Sequence, residues 1–521
     1  MLFTDPVFLF LLLPLACGIF YLLTPRFGPS AGCAWLLIVS LLFYWTWGNF
    51  YLAVLTASFT ANFAAACILL VTPGDQSSTR RAALWLGQLY NFGTLIWFKY
   101  RFLALLLSGG DQHFSLINVA IPIGISFYTF QQAILLVDAY HRDPSVAAYL
   151  GDMRTLWGKF RGYLRHAFFV SFFPHLVIGP IVYLSEFQPQ VQSPEFGRAK
   201  RVDLEVGAAL IIMGLFKKMV IADHLAPIAD GLFGTDPHLS LGGQIPMAVA
   251  WLGTLAYYLQ LYFDFSGYSD LALGSARMLG IRFPINFYSP LKAVGIIDHY
   301  RRWHITLTRV IARFVYTPLS LTVARFATGL GWRGVPAKLV AIWVPLLINF
   351  EVIALWHGAR LTFVGFGLIH GVWYVAETTA RSSGAFKAWC RTVSGTTRGV
   401  LGRVLFLSLM PLTLALFRSA SFSDYLFVLK SLFSFDAGLP QFKETTLLLA
   451  ACAIAGLLPN SMQLLARYRP GITTYSNKPY TATWLRLRWR PDWTWTIPLA
   501  GMLMVCIYYM ARQPPFLYLD F

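Results

Sequence analysis

Long apolar runs with few polar interruptions open the chain: "PVFLFLLLPLACGIFYLLT" (6–24), "AGCAWLLIVSLLFYWTW" (31–47) and "FYLAVLTASFTANFAAACILLV" (50–71). Each approaches the ~20 residues an α-helix needs to cross ~30 Å of hydrocarbon. Turn-rich pieces punctuate the chain at 72–79, 108–112, 233–246 and 329–338. The length rule then predicts roughly eleven or twelve spanning helices and leaves no stretch long enough for a separate soluble domain. One piece, "FSDYLFVLKSLF" (422–433), is shorter and carries Asp424 and Lys430 among large apolar residues. It reads as an interfacial amphipathic helix with Ser423 as its N-cap. The pattern predicts an all-α polytopic membrane protein with residues 1–521 as a single transmembrane domain.

The region of about 250–380 breaks the pattern. "QLYFDFSGYSDLALG" (260–274) holds Gln260, Asp264, Tyr268 and Asp270, "DHYRRWHITLTRVIARF" (298–314) follows, and "EVIALWHGARLTFVGFGLIHG" (351–371) keeps His357, Arg360 and His370. A charge near the bilayer centre costs about 2.5–3.5 kcal/mol on insertion scales. Several in succession imply a cavity walled by protein. The chemistry is expected here, with the helices of about 1–110 and 400–521 peripheral.

Composition fits a membrane chain: 57% of residues are hydrophobic and 12% charged, half the charged share of a soluble chain, about 25%. The net charge of +18 (41 basic against 23 acidic residues) does not point to nucleic acid. Basic residues cluster without acids at 154–165, 381–403 and 467–490, as cytoplasmic loops do against anionic headgroups. The first apolar run lacks the basic n-region of a secretory signal. Leu15-Ala16-Cys17-Gly18 resembles a lipoprotein cleavage site only faintly, since Pro14 precedes it and no Lys or Arg comes before the run. The six cysteines are scattered with no CxxC, which suits small buried hydrophobes.

Among the histidines, an ionisable group inside the membrane marks a pathway or a site by default. Gly358 beside His357 removes bulk near its imidazole, although simple helix packing explains the nearby glycines equally well. On one helix Tyr300, His304 and Thr308 would share a face at i, i+4 and i+8. His370 follows His357 by thirteen residues; at 100° each this is 1300°, or 220° after whole turns, so one straight helix cannot bring both to one face. His370 is read as structural. No HExxH occurs, and His299 with His304 is a spacing of five, so no metal site is indicated. "GYSDL" (267–271) lacks the second glycine of a nucleophile elbow. A histidine-centred polar cavity permits acyl transfer and, equally, proton-coupled transport.

"RRWHITLTR" (301–309) and "ALWHGARLTFVGFGLIHG" (354–371) resemble the two histidine motifs of the membrane-bound O-acyltransferase family. The similar branch is the one containing alginate O-acetyltransferase and teichoic-acid D-alanyl transferase. "IPIGISFYTFQ" (121–131), "FFPHLVIGPIV" (172–182), "GLFKKMVIAD" (214–223), "QLYFDFSGYSDLALG" (260–274), "FRSASFSDYLFVLKSLF" (417–433) and "PPFLYLDF" (514–521) extend the likeness nearly end to end. The resemblance implies a bowl of about 11–12 helices around a central tunnel, with interfacial and re-entrant helices. It implies His357 as catalytic centre and His304 as the second motif histidine. It further implies acyl transfer, most simply of acetyl, from a cytoplasmic thioester such as acetyl-CoA to a hydroxyl across a bacterial inner membrane. A periplasmic partner would relay the group to an exopolysaccharide; D-alanyl transfer is the alternative. No permanently bound cofactor is expected. Arg301 and Arg302 are candidates for donor phosphates, Trp303 and Trp356 for the tunnel wall, and Asp264 with Tyr268 for polar groups of a substrate or another helix. Two departures stand out. Val310-Ile311-Ala312-Arg313-Phe314 replaces the family's Trp-Leu-Arg-Asp-Tyr, and Arg360 follows "WHGA" where Asn is usual.

Overall fold

The computed structural model describes residues 1–75, 77–107, 121–233, 245–434, 438, 442–472, 487–512 and 517, without the side chains of 101–107 and 512. The expected turns at 108–112 and most of 233–246, the basic residues Lys478 and Arg486, and nearly all of the 514–521 motif lie outside the described residues. Helix makes up 80% of the structure, and the described residues contain no strand. The all-α polytopic reading holds.

The helices used below are, in chain order, α1 (Leu13–Phe27), α2 (Pro29–Trp45), α3 (Asn49–Val71), α4 (Ser78–Leu107), α5 (Ile125–Tyr140), α6 (Leu156–Ser171), α7 (Arg201–Leu215), α8 (Met247–Met278), α9 (Ile296–Tyr300), α10 (Ile305–Gly329), α11 (Gly334–His357), α12 (Leu361–Ser382), α13 (Gly395–Arg418), α14 (Phe422–Leu432) and α15 (Trp493–Tyr509). By length and composition five described helices can cross a membrane: Phe8–Phe27, which contains α1, then α3, α10, α11 and α13. The apolar α2 and α15 are shorter. This is fewer than the eleven or twelve read from apolar length. The difference lies in helices such as α8, 32 residues long, whose polar residues are buried by protein. The expected basic loop at 154–165 is mostly helix as well: α6 starts at the Thr155 cap, whose side chain accepts from Gly158 N–H.

Two glycine pairs bring two helices into backbone contact. A Cβ on Gly214 would lie 2.7 Å from the Gly267 carbonyl oxygen, and one on Gly267 2.8 Å from the Gly214 oxygen. One heptad along, Gly207 and Gly274 repeat the arrangement at 2.8 and 2.7 Å. With no side chain at four facing positions, α7 and α8 touch backbone to backbone, the packing small residues permit in membranes. Ion pairs lock the same seam. Lys218, just past α7, reaches Asp264 at 2.8 Å and Asp223 at 2.7 Å, while Lys217 reaches Asp270 at 2.6 Å and the Ser461 hydroxyl at 2.9 Å. The motifs "GLFKKMVIAD" and "QLYFDFSGYSDLALG" thus meet as one buried scaffold.

Helix α14 is amphipathic as expected, burying Val428 and Leu432 while Phe422 and Leu426 stay exposed. Its N-cap is Ser421 and not Ser423. The Ser421 hydroxyl accepts from Asp424 N–H and the Asp424 carboxylate accepts from Ser421 N–H, a closed capping box. The reciprocal pair satisfies two orphan donors, which Ser423 could not do from inside the first turn.

Candidate functional site

The break between α9 and α10 is built by Asn286. Its carbonyl accepts from Ile305 N–H (3.0 Å), and its side-chain oxygen accepts from the Thr306 hydroxyl (2.6 Å) and Thr306 N–H (3.3 Å). Residues 301–304 therefore turn instead of continuing the helix. Tyr300, His304 and Thr308 do face one cavity, as the i, i+4, i+8 spacing suggests, but they reach it across a break and not along a continuous helix. His304 sits at the turn with φ 43° and ψ 51°. A non-glycine residue in this left-handed region costs roughly 1–2 kcal/mol, and such positions collect at functional sites. Both ring nitrogens of His304 are buried, and neither has a hydrogen-bond partner among the described residues.

His357 is the last residue of α11. The chain then turns through Gly358 to Arg360, where α12 begins. The apolar run of 351–371 is thus two helices, and the angular argument for a single helix does not govern His357 and His370. The two helices pack tightly: a Cβ on Gly367 would stand 2.7 Å from that of Ala354.

One small cavity is lined by His304 and His357 together with His299, Tyr300, Trp303 and Thr308. Its remaining walls are apolar, from α8, α10, α11, α12 and α13, and among the described residues no charged side chain lines it. Along α13 it reaches from Met410 to Phe417, about 10 Å at 1.5 Å per residue. The His357 ring meets Phe417 edge-on at 5.0 Å, and the His304 ring meets Phe265 at 4.8 Å. The Trp356 ring neighbours both histidines, with centroids 5.7 Å from His304 and 4.9 Å from His357, but this tunnel-wall candidate lies outside the cavity lining.

His370 lies elsewhere, in a closed chain of hydrogen bonds. The Thr413 hydroxyl donates to the Met410 carbonyl (2.9 Å), so it accepts from His370 Nε2–H (2.8 Å). The Tyr300 hydroxyl then donates to His370 Nδ1 (2.7 Å). This fixes Tyr300 in the cavity wall and matches the structural reading of His370.

The other candidates divide. Trp303 lines the cavity and stacks on His299 at 5.5 Å. Arg302 donates to Asp298 at 2.9 Å and to the Tyr288 carbonyl at 3.3 Å; Arg301 is exposed. Asp264 pairs with Lys218 and accepts from Leu517 N–H at 3.1 Å, and Tyr268 packs on Phe3 at 6.0 Å, both outside the cavity lining. Arg313, at the departure from the family pattern, pairs with Asp138 at 2.5 Å. Arg360 lies exposed beside Phe363. Among the described residues no group of three His, Cys, Asp or Glu side chains is placed to hold a metal.

Two residues escaped the sequence reading. His299 lines the cavity, although its spacing from His304 was weighed only for metal binding. Lys99 of α4 donates to the Trp356 carbonyl at 2.5 Å, and the neighbouring Tyr100 hydroxyl donates to the Leu355 carbonyl. The signal for Lys99 was partial: a lysine among large apolar and aromatic residues in "LIWFKYRF" (95–102), with Arg101 two places on.

Residues 161–398 match the model of the MBOAT, or membrane-bound O-acyltransferase, family. The chain is 36% identical to the peptidoglycan O-acetyltransferase of Helicobacter pylori over 71% of its own length and 69% of the relative's. It is 33% identical to the probable alginate O-acetylase AlgI of Azotobacter vinelandii, over 74% and 70%. With the teichoic acid D-alanyltransferase of Streptococcus thermophilus it shares 27% over 48% and 55%. The chain belongs to the membrane-bound O-acyltransferase family. It is therefore an acyltransferase, which decides between the two classes that residue chemistry left open.

Proposed function

We propose that this protein passes an acetyl group from a cytoplasmic acyl thioester, such as acetyl-CoA, across the bacterial inner membrane for O-acetylation of an envelope or extracellular polysaccharide, with His357 as the base. The observation that carries the reading is the meeting of His304 and His357, 53 positions apart in sequence, in one cavity without charged side chains. The relatives named for O-acetylation match at 33–36% over more than 70% of the chain, the D-alanyl relative at 27% over 48%. This favours acetyl. Alginate is a polysaccharide and peptidoglycan contains glycan strands, so a sugar hydroxyl is the common final acceptor. Delivery to it falls to a periplasmic partner.

A thioester is already activated, so the enzyme must make a hydroxyl nucleophilic and stabilise the oxyanion. The neutral imidazole of His357 takes the hydroxyl proton as the oxygen attacks the thioester carbonyl carbon. A His304 N–H donates to the oxyanion. The C–S bond then breaks, and the His357 imidazolium returns the proton to the thiolate. Trp303 walls the donor's path, with Trp356 behind both rings. Arg301, exposed, meets the donor's phosphates. Arg302, Asp264 and Tyr268 serve the scaffold through the partners named above.

Purified protein in lipid nanodiscs, given labelled acetyl-CoA and an acceptor fraction, should release coenzyme. His357→Ala should lower that rate about 10²–10⁴-fold, the range of general acid–base catalysis, while still inserting. Release that needs a D-alanyl carrier protein instead would replace acetyl by alanyl, and a fully active His357→Ala would overturn the assignment.

A further inference from the structure

The carbonyls that end a helix have no partner within it, and α11 ends on His357 itself. Its last turn is held from another helix. Lys99 donates to the carbonyl of Trp356, the residue directly before His357, and its ammonium lies 5.4 Å from the centroid of the Trp356 ring. Tyr100 holds the carbonyl one residue earlier, which also accepts from Gly358 N–H at 3.0 Å. The indole near the ammonium is a ring that neighbours both His304 and His357. Lys99 is part-buried, and a charge drawn away from water needs partners. Here its charge is directed at a helix C-terminus and an aromatic face, two partners that favour a cation.

We propose that Lys99 is a positioning residue for acyl transfer: by holding the Trp356 carbonyl near the end of α11 and the Trp356 indole, it sets the relative placement of the two cavity histidines. It touches neither substrate nor reacting atoms. The proposal rests on His357 and His304 acting together as described above. Both the charge and the reach of the side chain matter, because a neutral side chain loses the cation–π contact and a short one loses the carbonyl.

The test uses the full chain in nanodiscs, with Lys99→Met, Lys99→Gln and Lys99→Arg beside His357→Ala. Lys99→Met should lower kcat about 10–100-fold, the scale of a ~1 Å misplacement, with KM for acetyl-CoA held within about twofold. Lys99→Arg, which keeps charge and donor, should recover most of kcat; Lys99→Gln should fall between. Melting in detergent reports folding, and should Lys99→Met not fold, the Gln and Arg variants carry the comparison. Normal kcat in all three with His357→Ala inactive overturns the Lys99 role alone. So does a loss that appears in KM, or one that follows melting temperature with no rescue by Arg. An active His357→Ala overturns the reading beneath it.

Discussion

The α7–α8 seam and the histidine cavity are both buried and both polar, and they treat their polar groups in opposite ways. At the seam Lys217 and Lys218 each have close acidic partners, at 2.6–2.8 Å, and the facing glycines leave no free volume. In the cavity there is no charge to pair, His304 keeps both ring nitrogens without partners among the described residues, and its backbone is held in the left-handed region. Buried polar groups are normally satisfied, so a satisfied cluster explains itself as structure. An imidazole that is buried, backbone-strained and without partners among the described residues is uphill for folding, and under the proposed function the oxyanion would be its partner. The two buried polar clusters thus differ in how their polar groups are met, and the proposed function assigns the second as the site.

The sharpest way to break this contrast is to remove one partner from each region. Lys218→Met leaves Asp264 and Asp223 buried without their cation, a change that costs about 3–5 kcal/mol when a buried pair is broken one-sidedly. The expected result is a large fall in folded protein, read as yield and melting temperature in detergent. Lys218→Met with unchanged melting would show that the seam does not hold the fold.

His304→Asn should do the reverse. Asn tolerates the left-handed conformation, and no hydrogen bond among the described residues is lost, so melting should change little. Transfer should drop about 10²–10³-fold, the loss expected when an oxyanion donor is removed. A variant that destabilises as strongly as Lys218→Met but transfers normally would place His304 with the scaffold and erase the distinction.

How much of this was legible in sequence follows the same division. Apolar run length gave the membrane class, and the two histidine motifs gave His304 and His357. Ionisable residues in apolar context drew attention equally to Asp264 and His357. The pattern could not tell them apart, because it does not show that Lys218 from another helix neutralises one of them. Helical spacing put Tyr300, His304 and Thr308 together for the wrong local reason, since the Asn286 contacts that break the helix come from twenty residues upstream. Lys99 was missed because its partner is a carbonyl 257 positions away, and carbonyls carry no sequence signature.

The smallest expected effect tests whether the basic residues near the α9–α10 break belong to the site. Lys292, in the short turn Pro290–Lys292 outside the spans, donates to the Leu458 carbonyl at 2.5 Å, and Arg403 donates to the Lys292 carbonyl at 3.4 Å. Burial, then the positive charges of Arg403 and Arg302, push its ammonium down to about 8 from 10.5. The folded chain therefore releases this proton before the unfolded chain does. Between about pH 8 and 10.5 folding gains stability from this group as pH rises, and below 8 the charged lysine is a cost. Its service to an anionic donor runs the other way, since the cation is lost as pH climbs through 8. If donor phosphates enter beside Arg301 and Lys292, KM for acetyl-CoA should rise up to about fivefold between pH 7 and 9.5, the span of an exposed ion pair of about 0.2–1 kcal/mol. Lys292→Arg should flatten that rise. A wild-type KM that stays level over the same interval would assign Lys292 to the scaffold, with its carbonyl contact as its whole role.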